Sequence, residues 1–387
     1  MRFKRLTQIL TLVLGVALGT FGAIADDDHH HNKNRPEPAY QKTTVSETEI
    51  ITQMHGNPYR ADLRLFMAGN QFVVMDLLVD EFKRQNPDIR NVFYVTLPPG
   101  QLLGWILNGG IHIKGDAFLG DEGFKLTVMP DVFTTVNQGH MNDLFNAGLI
   151  TRYYTYVQNR IGFMSAATDP LAGTDLTAQQ VYNLLSDPTV TISEPHIVTQ
   201  GIERHFWQMY VDTSKVVFPA DPAIQALVPT MFNPANLPND PPNSLRRIVY
   251  YDKVNSGATY VNDIHHLETP ARIRAGVSRL GGVWYTEFVY ERDRHHAADL
   301  GFIGINDNAP DGSPLDRRTK VTYLATITEG VMDNDNKEAA KKWVAFLRSP
   351  EAQAIFATGG FLTPSQQVLE TPFIFPNSGK NSRVGDY

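Results

Sequence analysis

The sequence predicts an α/β protein of two domains, each a mostly parallel sheet covered by helices. Three observations carry that expectation. Strand-like and helix-like segments alternate from residue 61 onward. Turn signals built from Gly, Pro and Asn separate them. The 387 residues, 42% hydrophobic and 10% aromatic, exceed what one ordinary core requires.

In chain order, Arg2, Lys4 and Arg5 precede an apolar run over 9–18, and Ala23-Ile24-Ala25 offers a small-residue cleavage site. That is the pattern of a secretory signal, here 1–25. A membrane anchor needs about 18 to 20 unbroken apolar residues, whereas Thr11 and Gly15 interrupt this run and Asp26-Asp27-Asp28 soon follow. Residues 26–60 are polar and rich in His and Asp at their start, and read as a flexible leader. Beyond it, Leu63, Leu65 and Met67 alternate in a short strand that stops at Gly69-Asn70. A helix over 71–85 places Met75, Leu78 and Phe82 on one stripe. A strand over 92–96 runs into Pro98-Pro99-Gly100, and a helix over 101–107 ends at Asn108-Gly109-Gly110.

The unit then recurs. A strand over 132–135 leads to Asn137 as a helix cap, with Gly148 where a C-terminal cap glycine belongs. Strands over 161–165 and 190–193 follow, the second leading into a helix over 201–211. Residues 212–242 are dense in proline and lose apolar periodicity, which predicts a loop excursion with at most one short helix. A strand over 248–251, a helix over 269–277 and strands over 282–285, 302–305 and 321–327 come next. Helices over 337–347 and 350–357, closed by Gly359-Gly360, complete the folded part.

Composition removes several functions. The chain contains no cysteine, so disulfides, thiolate metal sites and a cysteine nucleophile are absent, as is the acceptor for a lipid anchor. The mature chain is therefore expected free in the periplasm of a Gram-negative cell, as a monomer without membrane insertion. A formal charge of −7 and the lack of a long Lys/Arg cluster argue against nucleic acid. Gly-x-Ser-x-Gly, His-Glu-x-x-His and P-loop motifs are missing, so no enzyme class has an anchor and no cofactor is expected.

The strings Leu63-Arg-Leu-Phe-Met-Ala-Gly-Asn70, Glu81-Phe-Lys-Arg-Gln-Asn-Pro87 and Gly100-Gln-Leu102 before Leu107-Asn-Gly-Gly110 stand in a telling order. So do Pro130-Asp-Val-Phe133, Met141-Asn-Asp-Leu-Phe-Asn-Ala-Gly-Leu-Ile150, Ile192-Ser-Glu-Pro195 and Gly282-Val-Trp-Tyr285, with Lys341-Lys-Trp-Val-Ala-Phe-Leu-Arg-Ser-Pro350 near the end. Together they resemble type II periplasmic solute-binding proteins of ABC transporters, the molybdate- and tungstate-binding ones especially, over most of 61–364. The resemblance implies a two-lobed fold with the ligand cleft between the lobes. Lobe one would be 61–157 plus 304–369, lobe two 158–303 with the excursion 212–242, and 370–387 a C-terminal extension. It also implies an inner-membrane ABC permease as partner and a small-molecule ligand, an oxyanion or other small anion.

In such proteins the ligand is held by turns that open helices, where unpaired N–H groups and the helix dipole attract negative charge. The resemblance maps these turns to Gly69 and Asn70, to Pro99, Gly100 and Gln101, and to Val198, Thr199 and Gly201. An aromatic contact maps to Trp284 or Tyr285, with Glu287 beside them. Molybdate-binding relatives carry serine hydroxyls in the first two turns, and this chain does not, so the class of protein transfers more safely than the solute. The segment 112–129, absent from compact relatives, lies near the cleft in this mapping.

A second reading is a periplasmic metal-handling or sensory carrier. His29, His30 and His31 after three aspartates would suit a divalent transition metal. His265 and His266, with Glu268 and Glu287, form another candidate set, as do His295 and His296. Neighbouring histidines on a strand point to opposite faces, so neither of the latter pairs alone is bidentate there.

Overall fold

The computed structural model describes residues 51, 53–113, 123–197, 201–229, 233–262, 265–294, 298–305, 320–329 and 334–376. The expected signal peptide, the leader up to residue 50 with His29, His30 and His31, and the pair His295 and His296 lie outside these residues. The first half is built from β1 (Met54–His55), β2 (Leu63–Ala68), α1 (Met75–Gln85), β3 (Val92–Leu97), α2 (Pro99–Leu107), β4 (Ile111–Ile113), β5 (Phe124–Leu126), β6 (Val132–Thr135) and α3 (Gln138–Asn146). β7 (Arg152–Ala166) leads to β8 (Asp175–Leu176), α4 (Ala178–Ser186), β9 (Ile192–Pro195), α5 (Glu203–Val217), β10 (Thr259–Asn262), α6 (His265–Arg274), β11 (Leu280–Trp284), α7 (Tyr285–Arg294) and β12 (Leu300–Ile305). β13 (Lys320–Ile327), α8 (Asn334–Phe346), α9 (Pro350–Thr358), α10 (Gln366–Glu370) and β14 (Phe373–Ile374) return to the first half.

The main sheet runs β1-β3-β2-β6-β13-β7-β11-β9-β10. In one half β2 lies parallel between β3 and β6, with Leu65 opposite both Tyr94 and Val132. In the other, β9 lies parallel to β10 and β11. β7 joins the halves: it pairs antiparallel with β13 through Arg160 and then with β11 from Ile161 to Ser165. Its 15 residues span about 50 Å, long enough to serve both halves. These are the two lobes of the predicted fold class.

Strand alternation sets the layers. In lobe one Leu63, Leu65 and Met67 of β2 face Met75, Leu78 and Phe82 of α1 and Trp343, Val344 and Leu347 at α8. Phe66 points to the opposite face, against Leu102 and Trp105 of α2 and Met141 of α3. In lobe two Ile161, Phe163, Ile192 and Leu280 pack on Phe206, Trp207 and Tyr210 of α5, whereas Met164 and Val283 pack on Phe288 and Val289 of α7. Asn137 caps α3 as expected, its Oδ1 accepting the Gly139 N–H at 2.9 Å. Gly148 closes the same helix at φ +73°, a left-handed conformation that suits glycine.

Several expectations are corrected. Residues 248–251 are not a strand but the middle of a helical stretch, 245–256, that includes a π-turn at Ile248–Asp252. Leu245, Val249 and Tyr250 are buried on one side of it; the β-branched and aromatic run mimics a strand, and packing on α5 overrides that propensity. The excursion is more ordered than a loop, since α5 extends to Val217, a helical turn covers Pro222–Gln225 and a 3-10 helix covers Pro234–Asn239. His265 and His266 open a helix rather than sit on a strand. Folding starts before residue 61, because Met54 and His55 pair with Val95 and Tyr94 and the His55 ring stacks on Tyr94 at 4.4 Å. The C-terminal extension is also partly paired, with Phe373 opposite Tyr153. Segment 112–129 contains a hairpin of β4 and β5, with 114–122 outside the described residues.

Candidate functional site

The carboxyl ends of the parallel strands in both lobes deliver their following helices to one region. After β2 the chain turns through a 3-10 helix, Gly69–Val73. A Cβ on Gly69 would stand 3.2 Å from the Leu97 carbonyl carbon, so this turn lies against the end of β3. Asn70, mapped to a ligand turn, turns its side chain inward instead. Its buried amide donates to the Tyr323 hydroxyl and, at 3.5 Å, to Thr286 Oγ1. Asn159 of β7 donates to the same two oxygens, at 3.0 Å to Thr286 and 3.4 Å to Tyr323. Four elements thus meet in one buried polar knot, and burial pushes the Tyr323 hydroxyl well above its usual range. Replacing Asn70 by alanine strips donors from this knot. The expected loss is about 1 to 3 kcal/mol of stability, read from the urea midpoint.

The other turns meet at a second point. Pro99 opens α2, Gly100 is exposed, and the Gln101 N–H is spent on the Pro98 carbonyl at 2.9 Å. A Cβ on Gly201 would lie 3.6 Å from Pro99 Cδ and 3.7 Å from Val136 Cγ2. The segment that opens α5 in lobe two therefore rests against the segments that open α2 and α3 in lobe one. Val198 and Thr199 lie outside the described residues.

His140, on the first turn of α3, borders the same point: its Cε1 is 4.0 Å from the position of a Cβ on Gly100. Its Nδ1 is 2.9 Å from Thr135 Oγ1. That hydroxyl also accepts the Asn137 N–H at 3.0 Å, and when it gives its own proton to Nδ1 the ring proton stands on Nε2. Burial, and after it Arg204, pull the His140 pKa down to about 4. The same causes pull His205 to about 4. Both rings are neutral at pH 7, and exposed Arg204 is a cation whose charge acts on each of them. These three residues, with Asn159, Thr286 and Tyr323, were not singled out in the sequence; for His140, Arg204, His205 and Thr286 a polar residue in the first turn of a helix was the available signal, whereas Asn159 and Tyr323 lie within strands and carry none.

The aromatic candidates separate. Trp284 is buried as the last residue of β11, with its ring 5.8 Å from His205 and 5.9 Å from Tyr323. Tyr285 does not lie on a strand: it opens α7 and sits under the Arg160 guanidinium, 4.2 Å away, with Phe302 on its edge. Glu287, third residue of α7, is buried and reaches back to accept the N–H of Trp284, the residue before the helix, at 3.1 Å, which fixes the start of the helix. The side chains of His265 and His266 lie outside the described residues.

Residues 63–362 match the model of a family described as bacterial extracellular solute-binding protein. The chain belongs to that family. This bears out the resemblance read from its strings of residues, and a solute-binding protein is what the two-lobed arrangement of helix N-termini fits. Among solved structures, the substrate-binding protein of an ABC transporter from Agrobacterium tumefaciens superposes with a TM-score of 0.51 at 13% identity, over 79% of this chain and 80% of that one. The periplasmic molybdate-binding protein of Azotobacter vinelandii gives 0.49 at 14% identity, over 78% and 100%. The sulfate-binding protein of Mycobacterium tuberculosis gives 0.48 at 12% identity, over 79% and 88%. No protein of curated function matches the chain.

Proposed function

We propose that this solute-binding protein captures a small anion between its two lobes in the periplasm and presents it to an inner-membrane ABC permease. The observation that carries the reading is the closeness of Gly201 in lobe two to Pro99 and Val136 in lobe one, which a Cβ added at Gly201 would meet at 3.6 and 3.7 Å. Helix N-termini from both lobes converge there, and their dipoles attract negative charge without a titratable group. Arg204 adds one full charge, and neutral His140 adds a donor at Nε2. We place the lobe boundaries near 157, within β7, and near 304, at the end of β12 ahead of β13, and hinge motion about these crossings would open and close the cleft. The periplasmic location follows from the signal-like segment 1–25. The importer partner is supported by the structural likeness to an ABC transporter's binding protein. No catalytic role is assigned, in keeping with a family that binds solutes.

Asn70 is committed to Tyr323 and Thr286, and the first two turns offer no hydroxyl, so the solute need not be a tetrahedral oxyanion. A thermal-shift panel decides the class: molybdate, sulfate, phosphate, oxalate and citrate against thiamin, Ni(II) and Fe(III). A ligand at a thousandfold its Kd stabilises by about 4 kcal/mol, a rise of several degrees. A rise with an anion is expected; a rise with the cations alone would overturn the anion reading.

A further inference from the structure

We propose that Glu194 and Glu203 form a proton-binding site beneath the anion site, and that loss of its proton weakens capture of the anion. The first clause stands on the geometry of lobe two; the second rests also on the anion reading above. Glu194, on β9, and Glu203, the first residue of α5, are both fully buried. Glu194 Oε1 accepts the Tyr210 hydroxyl at 2.6 Å and Oε2 accepts the Tyr250 hydroxyl at 3.2 Å. The Tyr210 proton is thereby spent on Glu194, and the one Tyr250 proton is left between the two carboxyls. Neither oxygen of Glu203 has a hydrogen bond of good geometry.

No cation compensates the pair among the described residues. The groups that face it are the two carboxyls themselves, Tyr210 from α5 and Tyr250 from the stretch 245–256. From β11 the neighbour is Gly282, where an added Cβ would stand 3.0 Å from Glu194 Oε2 and 2.9 Å from Phe206. Arg246 is bound to Asp240, and Lys253 to the carbonyls of Asp187 and Val190. Arg204 is exposed and acts on His140 and His205. Two buried carboxylates with two donors between them repel one another and lack hydrogen-bond partners. Protonation removes the repulsion and supplies the missing donors. Burial accordingly raises Glu194 to about 8, and burial together with Glu194 raises Glu203 well above its usual range.

Ionisation of the pair places a negative charge under the first turn of α5, two residues from Gly201 and next to Arg204. That charge opposes the dipole and the guanidinium that attract the solute. The sign for stability is set by the same shift. The folded chain holds its protons to higher pH than the unfolded chain, so the contribution is full below about 4.5 and falls as pH rises towards about 8.

The test follows Tm from pH 5 to 9 for the full protein and its Glu203→Gln and Glu194→Gln variants. In parallel, Kd for molybdate, sulfate and oxalate, whose charge is constant over that range, is measured at pH 6 and 9. The wild type is expected to lose Tm across the range and to bind about tenfold more weakly at pH 9, with both slopes reduced in the variants. Parallel Tm profiles in wild type and both variants would overturn the proton site. Equal Kd at the two pH values would overturn its coupling to capture. Failure of every anion to bind would remove the anion reading and the coupling with it, while the Tm profiles still decide the site.

Discussion

Replacing Arg246 by leucine should cost about 3 to 5 kcal/mol of stability. The guanidinium meets Asp240 through two parallel contacts, Nε to Oδ2 at 2.5 Å and Nη2 to Oδ1 at 2.9 Å. The side chains are only 5% and 7% exposed, so neither charge has water to fall back on. Nη1 also donates to the Val228 carbonyl at 3.2 Å, and the guanidinium lies 4.8 Å from the Trp207 ring. Arg246 thus fastens the excursion after α5 to the core of lobe two. Leucine keeps part of the contact with Trp207 but leaves a buried carboxylate without its partner. The large cost is the stranded charge and not the net worth of the pair, so Asp240→Leu added to Arg246→Leu should recover most of it. Urea unfolding of the four members of the cycle checks this. Additive losses would show that Asp240 is not stranded.

The parts of the fold that were legible are those in which local and global preferences agree. β2 alternates because its two faces meet different helices, and Asn137 and Gly148 mark the ends of α3 where cap chemistry requires them. Elsewhere the local signal was overridden or overlooked. The run Ile248-Val249-Tyr250-Tyr251 has strand propensity, yet it is helical because Leu245, Val249 and Tyr250 share one buried side. Thr177 and Gln180 form a capping box that announces α4, a signal present in the sequence but not used.

The site was legible as turns and not as contacts. Pro99, Gly100 and Gly201 could be placed at helix starts from local residues alone, but the approach that would bring a Cβ on Gly201 within 3.6 Å of Pro99 joins positions about a hundred residues apart. Asn70 shows the converse: the turn was found, while its amide is spent on Tyr323 and Thr286, partners 253 and 216 residues away. The acidic pair Glu194 and Glu203 is invisible in composition for the same reason, since only tertiary burial distinguishes it from surface carboxylates.

The sharpest functional consequence of that approach is at Gly201. Its tryptophan variant should bind the solute at least about a hundredfold more weakly, a loss of about 2.7 kcal/mol, while the Tm of the unliganded protein stays near that of the wild type. A single Cβ fits, because 3.6 and 3.7 Å are ordinary van der Waals distances, so Gly201→Ala should bind nearly as the wild type does. An indole extends several ångströms further and meets Pro99 and Val136, which belong to the other lobe. Lobe two can keep its own core, since Gly201 is only half-buried, but the lobes can no longer close on each other. Helix dipoles act only at short range, so parting the N-termini removes most of the attraction for an anion even with Arg204 in place. Titration calorimetry on the alanine and tryptophan variants, with the anion that shifts the wild type, gives the graded comparison. Equal affinity in wild type and tryptophan variant would mean that the solute is held elsewhere than between α2, α3 and α5.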